Sequence, residues 1–584
     1  MRELALASAI IVVLLAPVSS LRQAPFRTLN DTFDPPRYTD AAEWNRRAAY
    51  LREHILASAG LLPMPERLPL APRIFGEVKH ADYTVSKVYF ESLPGFFVTG
   101  NLYRPVGDGP FPAILTPHGH WAYGRLENTS LNSVPGRSIN LARQGFVVFT
   151  HDMVGYGDSR QIPHTFGGRR EHLWGLSLGG LQLWNAIRAL DFLESLAYVR
   201  RDAIGVTGES GGGTQTFLLA AVDDRVAAAA PVNMISLHMQ GGCLCENLPG
   251  LRLDTTNVEI AATIAPRPLL MIAATGDWTK NTLEHEYPAV RAIYSLLDAA
   301  DRVHAERIAA EHNYNRESRE AMYAWMARWL QQAPADVRRP ERPFTPDPPA
   351  DLLVFHQRPF PGNAVTAAEL TYTWIEAARR QLTASNAEHL ERALRHVLGY
   401  GDASLPRAAA ASGGSRTVLI ADVDRELEQE LRRARFDVRR VPSSAFDAEA
   451  AGRVRHFETY NRTQASQQVA DIVEAIRANP GAALVAAGDA ALAGLLAAAI
   501  EPPRAAILDV GSFDTSSDEH FVNRLYIPGL RRAGDLQTAA ATYAGRLIIH
   551  SATERFTLPG TKPLTTKLST GEIVAALRDG GRRR

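Results

Sequence analysis

Hydrophobic and polar positions change their period several times along the first 330 residues. Asp40 to Leu61 carries apolar residues at helical spacing and ends in a Gly-Leu-Leu-Pro breaker, which predicts a helix. Tyr83 to Phe90 alternates, and Phe96 to Tyr103 is its predicted hairpin partner. From Phe111 to about Leu330, short apolar runs alternate with longer helical stretches. This alternation predicts an α/β domain with a largely parallel sheet.

A proline-rich stretch separates this region from the second half of the chain. Residues 333–365 contain too many prolines for a helix or a central strand, which predicts a linker. Helical patterns follow from Ala367 to Leu398, and Thr417 to Ala421 resumes the short apolar runs. We therefore predict a first domain at residues 21–332 and a second at residues 366–584, since 584 residues exceed one ordinary core.

Short matches between the two halves indicate a tandem duplication. Leu248-Pro249-Gly250-Leu251-Arg252 recurs 279 positions later as Ile527-Pro528-Gly529-Leu530-Arg531. At a displacement of 280, Gly208-Glu209-Ser210 falls on Gly488-Asp489-Ala490. Because the Ala490 side chain has no oxygen, the second domain is predicted to be a non-catalytic α/β module.

Composition narrows the choice of partners and compartment. The chain has 63 basic and 63 acidic residues, which argues against nucleic acid or an anionic membrane as its main partner. Arg2, an apolar run from Leu4 to Pro17 and a small residue at Ser20 predict a signal peptide at residues 1–20 and a secreted or periplasmic protein. A membrane anchor is the alternative, although the apolar run is short for a spanning helix.

The chain contains two cysteines, Cys243 and Cys245, which excludes a fold held together by disulfides. A bridge between residues two apart would be strained. Two ligands alone do not make a metal site. We interpret the pair as small core residues and predict neither a metal nor another cofactor.

The segment Gly208-Glu209-Ser210-Gly211-Gly212 is the candidate for covalent chemistry. It follows a predicted strand at residues 203–207 and precedes an apolar helical run at residues 214–222. In such a tight strand–turn–helix corner, small neighbours allow the serine hydroxyl to project from the sheet edge. Gly175-Leu176-Ser177-Leu178-Gly179 matches the same pattern without a preceding strand, so Ser210 is the predicted nucleophile.

A serine hydroxyl needs a histidine to accept its proton and a carboxylate to orient that histidine. Asp277 directly follows a predicted strand at residues 268–274, and His312 lies in a polar loop after the next predicted strand, residues 302–309. Both positions suit an acid and a base that follow the nucleophile in chain order. Asp254 is the alternative acid, but it lies before the strand rather than after it. His285 and His304 are the alternative bases, and both lie inside predicted elements.

The oxyanion of an acyl-transfer intermediate needs two backbone N–H donors. Gly211, which follows the nucleophile, is one predicted donor, and His120, in the loop after the strand at residues 111–116, is the other. A His-x-His metal site at His118 and His120, with His151-Asp152 nearby, is the disfavoured alternative. The glycines of residues 152–159 are interpreted as turn residues.

From about Trp44 to Leu330 the chain resembles α/β-hydrolases of the group around dienelactone hydrolases and acetyl xylan esterases. The resemblance rests on these motifs: Glu91-Ser92-Leu93-Pro94-Gly95, Thr99-Gly100-Asn101-Leu102-Tyr103-Arg104-Pro105, His118-Gly119-His120, Gly208 to Gly212, Thr275-Gly276-Asp277-Trp278-Thr279 and His312-Asn313-Tyr314-Asn315. The second half resembles a degenerate copy of the same fold. The resemblance implies an exported serine esterase that removes acyl groups, such as acetyl, from carbohydrate, with Ser210, Asp277 and His312 as its triad.

Two alternatives remain open at this stage. One is a secreted serine peptidase of related fold, and the other is a non-catalytic tandem pseudo-hydrolase used for binding. The expected partner in the esterase hypothesis is a small-molecule or carbohydrate ester, because fold transfers mechanism better than it transfers substrate.

Overall fold

The computed structural model of the protein describes residues 26–401 and 415–578. The predicted signal peptide at residues 1–20 lies outside these ranges. None of the helices within them has the length and apolar character needed to span a bilayer. The described chain is organised around two β-sheets, one of nine strands and one of five.

The first sheet is mostly parallel, as the alternation of short apolar runs predicts. Its strands are β1 Arg73–Lys79, β2 Tyr83–Leu93, β3 Phe96–Pro105, β4 Phe111–Leu115, β5 Val147–His151, β6 Val199–Glu209, β7 Val226–Val232, β8 Leu269–Ala274 and β9 Val303–Ile308. Their order is β1-β2-β3-β5-β4-β6-β7-β8-β9. The first four of these strands pair antiparallel, with β2 and β3 forming the predicted hairpin, and every pair from β5 to β9 is parallel. The predicted α/β-hydrolase fold class is confirmed.

Helices cover both faces of this sheet. They are α1 Ala41–Ser58, α2 Val134–Arg143, α3 Arg169–Leu173, α4 Leu178–Ser195, α5 Gly211–Val222, α6 Asn257–Ala262, α7 Glu286–Leu296 and α8 Arg316–Leu330. Successive residues of β4 point to opposite faces, so Ala113 and Leu115 join one buried cluster with α4 and α5, whereas Ile114 joins another with α2 and α8. Both faces are therefore apolar, which explains the nearly continuous apolar runs of the central strands.

The proline-rich segment is not a free linker. It contains a four-residue helix, α9 Pro349–Leu352, which we did not expect there; its proline stands at the first helical position, where no backbone donor is lost. The segment packs along the first sheet, since the Leu352 carbonyl accepts a hydrogen bond from Asn101 Nδ2 at 2.8 Å. The backbone N–H of Val354 donates to the Asp158 carboxylate at 2.7 Å.

The second sheet is entirely parallel. Its strands are β10 Thr417–Ala421, β11 Asp437–Arg440, β12 Ala483–Ala487, β13 Ala505–Asp509 and β14 Arg546–His550. The helices of this half of the chain are α10 Ala367–Ala384, α11 Ala387–Val397, α12 Arg425–Arg433, α13 Ala448–Arg453, α14 Phe457–Tyr460, α15 Gln464–Arg477, α16 Asp489–Ile500, α17 Asp518–Arg524, α18 Asp535–Thr542 and α19 Thr570–Arg578. Of these, α10 packs on the first sheet, since its buried residues join the cluster that contains α4 and α5. The strand order β11-β10-β12-β13-β14 repeats the order β5-β4-β6-β7-β8 of the first sheet. Descent of the second half from a copy of the first stays a prediction.

The residue that corresponds to Ser210 in the second sheet is Gly488, and the match with Ala490 was wrong. Ser210 connects β6 to α5 with φ 56° and ψ −121°, and Gly488 connects β12 to α16 with φ 61° and ψ −132°. Ala490 lies two residues further on, as the second residue of α16. The sequence match paired Ser210 with a residue two positions beyond its structural equivalent. The two sheets share the backbone conformation of the corner, not the glycine pattern around it. The conclusion that this corner carries no hydroxyl is unchanged.

The two repeated Pro-Gly-Leu-Arg segments make reciprocal contacts between the halves. Gly250 N–H donates to the Glu458 carbonyl at 2.8 Å, and Arg252 N–H donates to the Thr459 carbonyl at 2.9 Å. In the opposite direction, Gly529 N–H donates to the His172 carbonyl at 2.7 Å, and Arg531 N–H donates to that of Leu173 at 3.1 Å. The repeated segment of each half therefore binds backbone carbonyls of the other half, which is the reciprocal pattern of a symmetric dimer contact.

Candidate active site

Ser210 lies at the end of β6, in a corner that admits only small neighbours. A Cβ atom on Gly208 or on Gly212 would lie 2.4 Å from the carbonyl oxygen of Pro117. The Ser210 N–H donates to the Val232 carbonyl of β7 at 3.0 Å, which holds the corner against the sheet. A positive φ at a non-glycine residue costs on the order of 1–3 kcal/mol, so the fold maintains Ser210 in a strained conformation.

The other candidates from the sequence occupy ordinary structural positions. Ser177 begins α4 as a helix cap, with φ −130°, and its hydroxyl accepts a hydrogen bond from Gly180 N–H at 3.1 Å. Asp254 forms an ion pair with Arg47 at 2.9 Å. His304 is exposed on β9, and His285 directly precedes α7.

Asp277 and His312 are brought together by the loops that follow β8 and β9. His312 Nδ1 lies 2.8 Å from Asp277 Oδ2. The second carboxylate oxygen of Asp277 accepts hydrogen bonds from the backbone N–H and the hydroxyl of Thr279, at 2.7 and 2.6 Å. The Asp277 side chain is only 2% exposed, so its orientation toward His312 is held on both oxygens.

Two tryptophans flank the His312 ring. The ring centroid of Trp278 lies 4.6 Å from that of His312, and the ring of Trp121 stacks over it at 6.4 Å. The loop backbone is fixed as well, since Tyr314 N–H donates to the Leu131 carbonyl at 2.7 Å. The base candidate is thus anchored by its acid, by its own loop and by aromatic neighbours.

Glu209, whose role sequence analysis missed, organises the side of the site that faces β4. One of its oxygens accepts three hydrogen bonds, from Gly119 N–H at 2.9 Å and from Trp121 Nε1 and Asn132 Nδ2 at 2.8 Å each. The other oxygen pairs with Arg137 at 3.2 Å, and both side chains are fully buried. Glu209 stands inside the serine motif, but nothing in the sequence indicates that these four distant groups converge on it.

The predicted oxyanion donors lie on either side of the Ser210 corner. Gly211 is the first residue of α5, so its N–H has no acceptor within the helix. Glu209 binds Gly119 N–H, which leaves the N–H of His120 as the next donor along the loop. The His120 ring covers Gly211, because a Cβ on Gly211 would lie 2.5 Å from His120 Cε1. The two donors therefore belong to segments in direct contact.

His118 does not share a metal with His120. Its Nδ1 lies 2.7 Å from the Gly119 carbonyl, and its Nε2 accepts the Met153 N–H at 3.0 Å, so both ring nitrogens are used. Burial lowers the pKa of His118 to about 3, which keeps the ring neutral. The disfavoured His-x-His site is therefore incompatible with the orientation of His118.

The His120 ring points instead toward the two cysteines. His120 Nε2 lies 3.0 Å from Cys245 Sγ, and His164 Nε2 lies 3.3 Å from Cys243 Sγ. Cys245 is fully buried and Cys243 lies at the edge of the core, so the interpretation of the pair as core residues describes only part of their surroundings. A hydrogen bond from Cys245, with others from His120 and His164, holds the pKa of Cys243 well below its usual range.

Comparison with known proteins places the chain among hydrolases. No family model matches the chain. It is 27% identical over 261 residues to the Bacillus subtilis (strain 168) protein named "Putative hydrolase YtaP", a match that covers 41% of this chain and 84% of that protein. The solved structure of Methylesterase BT1017 is 30% identical, with a TM-score of 0.51, and the match covers 60% of this chain and 78% of that one. An acetyl xylan esterase from Paenibacillus sp. R4 is 19% identical, with a TM-score of 0.34, over 51% of this chain and 97% of that one.

Proposed function

The chain belongs to the α/β-hydrolase family and shares its esterase fold with Methylesterase BT1017, and from this we propose that it is a serine esterase acting on esters of carbohydrate. The observation that carries the proposal is that the strained Ser210 corner and the Asp277–His312 pair follow parallel strands of one sheet, so they lie at the same sheet edge. A serine in this backbone conformation is costly without a function, and the acid and base follow it in the order of this family.

We propose the following roles for the site. The Ser210 Oγ attacks the ester carbonyl while His312 Nε2 takes its proton, and Asp277 stabilises the resulting imidazolium. The N–H groups of Gly211 and His120 donate to the oxyanion. Collapse of the tetrahedral intermediate releases the alcohol, which receives the proton from His312. Water, deprotonated by His312, then attacks the acyl-enzyme and releases the acid.

The walls of the site favour a sugar ring beside the ester. Trp121 and Trp278 are half-buried next to His312, and Tyr123, two residues beyond Trp121, is 71% exposed. Aromatic side chains offer rigid apolar faces, so ordering them costs little entropy. Such faces suit the C–H faces of a pyranose, whose hydroxyl groups can still make hydrogen bonds. An acetyl or similarly small acyl group on carbohydrate is the substrate class we propose.

A methyl ester of a sugar acid is the second candidate. The 30% identical relative is named a methylesterase, and the same triad chemistry would release methanol from such a substrate. In that case the sugar would occupy the acyl side of the site, and the oxyanion donors would act on the carboxyl carbon of the sugar itself.

Activity of the purified full chain on a substrate panel would test the proposal. The panel contains p-nitrophenyl acetate, longer acyl esters, acetylated xylan, a methyl-esterified uronic acid and peptide anilides. We expect turnover of acetyl or methyl esters and labelling of Ser210 by a fluorophosphonate probe, mapped by peptide mass spectrometry. Turnover of peptide anilides alone would establish the peptidase alternative. A folded protein that the probe does not label would establish the non-catalytic binding alternative.

We also propose that the protein is exported by the segment at residues 1–20. The N-terminal sequence of the protein recovered from the periplasm or the medium should begin near Leu21. A protein that keeps residues 1–20 in a membrane fraction would support the anchor alternative.

A further inference from the structure

The side chains of His120, His164, Cys243 and Cys245 converge next to the Ser210 corner, and we propose that they bind one Zn²⁺ ion. One donor atom from each residue can be chosen such that all four lie within 4.8 Å of one another. A tetrahedral Zn²⁺ with bonds of about 2.3 Å to sulfur and about 2.0–2.1 Å to nitrogen needs donors about 3.3–3.8 Å apart. Side-chain adjustments of less than about 1 Å would close the cluster around an ion.

The ring orientations suit metal ligation. His164 Nδ1 lies 2.6 Å from the Val154 carbonyl, so this nitrogen carries the proton and Nε2 presents its lone pair toward Cys243. His120 Nδ1 faces the buried carboxylate of Glu246 at 3.9 Å, so its Nε2 points toward Cys245. Ligating histidines in proteins are held by a carbonyl or a carboxylate on the opposite ring nitrogen, as His164 is here by the Val154 carbonyl.

Glu246 also shapes the cysteine segment. Its Oε2 accepts the backbone N–H groups of Gly242 and Cys243, at 2.7 and 2.9 Å. The same carboxylate therefore fixes the turn that carries both cysteines and faces the ring of His120. The four donors are thus positioned before any ion arrives, which lowers the entropic cost of binding.

The donor set indicates the metal and its role. Two sulfurs and two imidazoles favour Zn²⁺ over Mg²⁺ or Ca²⁺, which prefer oxygen ligands. Four protein ligands leave no open position for water or substrate, so the site is structural rather than catalytic. Zinc deprotonates the thiols that bind it, so both Cys243 and Cys245 would ligate as thiolates.

The position of the cluster explains what such an ion would stabilise. His120 follows β4, His164 lies in the loop after β5, and both cysteines lie between β7 and β8. The ion would therefore link three loops that are distant in sequence. Because the His120 ring rests on Gly211, the ion would also fix the positions of the two predicted oxyanion donors relative to each other. Such a link would make His120 a positioning residue through its ring, in addition to its proposed N–H role.

Metal content of the full-length protein would test the proposal without any substrate. The protein is purified from cells grown with added ZnCl₂ and analysed by inductively coupled plasma mass spectrometry. We expect about one zinc per chain in the wild type and less than about one tenth in Cys243→Ser and in His164→Ala. The matched control is His304→Gln, an exposed histidine on β9, which should keep the full zinc content. Cobalt substitution should give the visible spectrum of a tetrahedral S₂N₂ site, with a thiolate charge-transfer band that Cys243→Ser reduces.

Three results would overturn the proposal. The first is a wild type that holds less than one tenth of a zinc even after incubation with the ion. The second is a Cys243–Cys245 disulfide, detected as two thiols that react only after reduction, in a zinc-free protein. The third is full zinc content in both ligand variants, with folding checked by circular dichroism. Because none of these readouts involves ester hydrolysis, failure of the zinc site and failure of the esterase proposal can be told apart.

Discussion

The Ser210 and Gly488 corners have almost the same backbone but different chemistry. Both follow a central parallel strand, both begin a twelve-residue helix, and their φ and ψ angles agree within about ten degrees. Glycine adopts this conformation without strain, whereas serine does not. The second sheet thus has the same corner without backbone strain and without a hydroxyl. The first sheet keeps the strain, together with a buried glutamate and an acid–base pair.

The largest expected effect comes from removing the hydroxyl at one corner and adding it at the other. Ser210→Ala should lower kcat for the best ester of the panel by a factor on the order of 10⁶, because no other group can form the acyl-enzyme. Gly488→Ser in the Ser210→Ala background should restore nothing, since strand register places Arg555 where the first sheet has Asp277. Recovery of activity in the double variant would contradict the assignment of chemistry to the first sheet alone.

Asp277→Asn should have the next largest effect. The amide oxygen would stay with the two Thr279 donors, so the NH₂ group would donate to His312 Nδ1 and stabilise the wrong tautomer. We therefore expect kcat to fall on the order of 10⁴-fold. Steady-state kinetics at saturating substrate checks this. The matched control is Asp509→Asn, an aspartate at the end of β13 in the second sheet. If this control lost as much activity, the effect would be one of folding rather than of the triad.

A third prediction concerns Glu209, which has no counterpart in the second sheet because Ala487 precedes Gly488. Glu209→Gln should lower kcat about 10- to 100-fold, since the loop that carries Gly119 and Trp121 loses its charged acceptor. It should also lower the free energy of unfolding by about 3 kcal/mol, because Arg137 stays buried without its partner.

The Arg477–Glu501 pair of the second half provides the control for this variant. Glu501→Gln should destabilise the protein somewhat less, as Arg477 is 30% exposed, and should leave kcat unchanged. Urea unfolding and initial rates on the same samples separate the two effects. Equal loss of activity in both variants would show that Glu209 acts only through global stability.

The smallest expected effect is a pair of stability changes with opposite signs. Ser210→Gly should raise the free energy of unfolding by about 1 kcal/mol through relief of the positive φ, and Gly488→Ala should lower it by about 1 kcal/mol. Urea titrations followed by circular dichroism can detect both shifts. Changes of the same sign would mean that packing, rather than backbone strain, distinguishes the two corners.

The sequence predicted the features that depend on local pattern and chain order. The strands, the corner at Ser210 and the positions of Asp277 and His312 after successive strands all follow from hydrophobic period and from the order of elements, and the structure joins the last two residues at 2.8 Å. The roles of these three residues remain predictions until the variants above are measured.

Contacts between distant loops could not be predicted in the same way. The partners of Glu209 come from residues 119 to 137, and the cluster of His120, His164, Cys243 and Cys245 spans 126 positions of the sequence. No period or spacing relates such residues, because only the order of strands in the folded sheet brings their loops together. The wrong match of Ala490 had the same origin, as short motifs were aligned without knowledge of strand register.

The reciprocal contacts of Gly250 and Gly529 have a consequence for how the protein would behave at low concentration. Two separate chains joined by such a symmetric contact would dissociate when diluted below their dissociation constant. Here one covalent chain connects the halves, so each half meets the other at an effective concentration on the order of millimolar, whatever the amount of protein in solution. Dilution by the surrounding medium therefore leaves the contacts between the two halves intact.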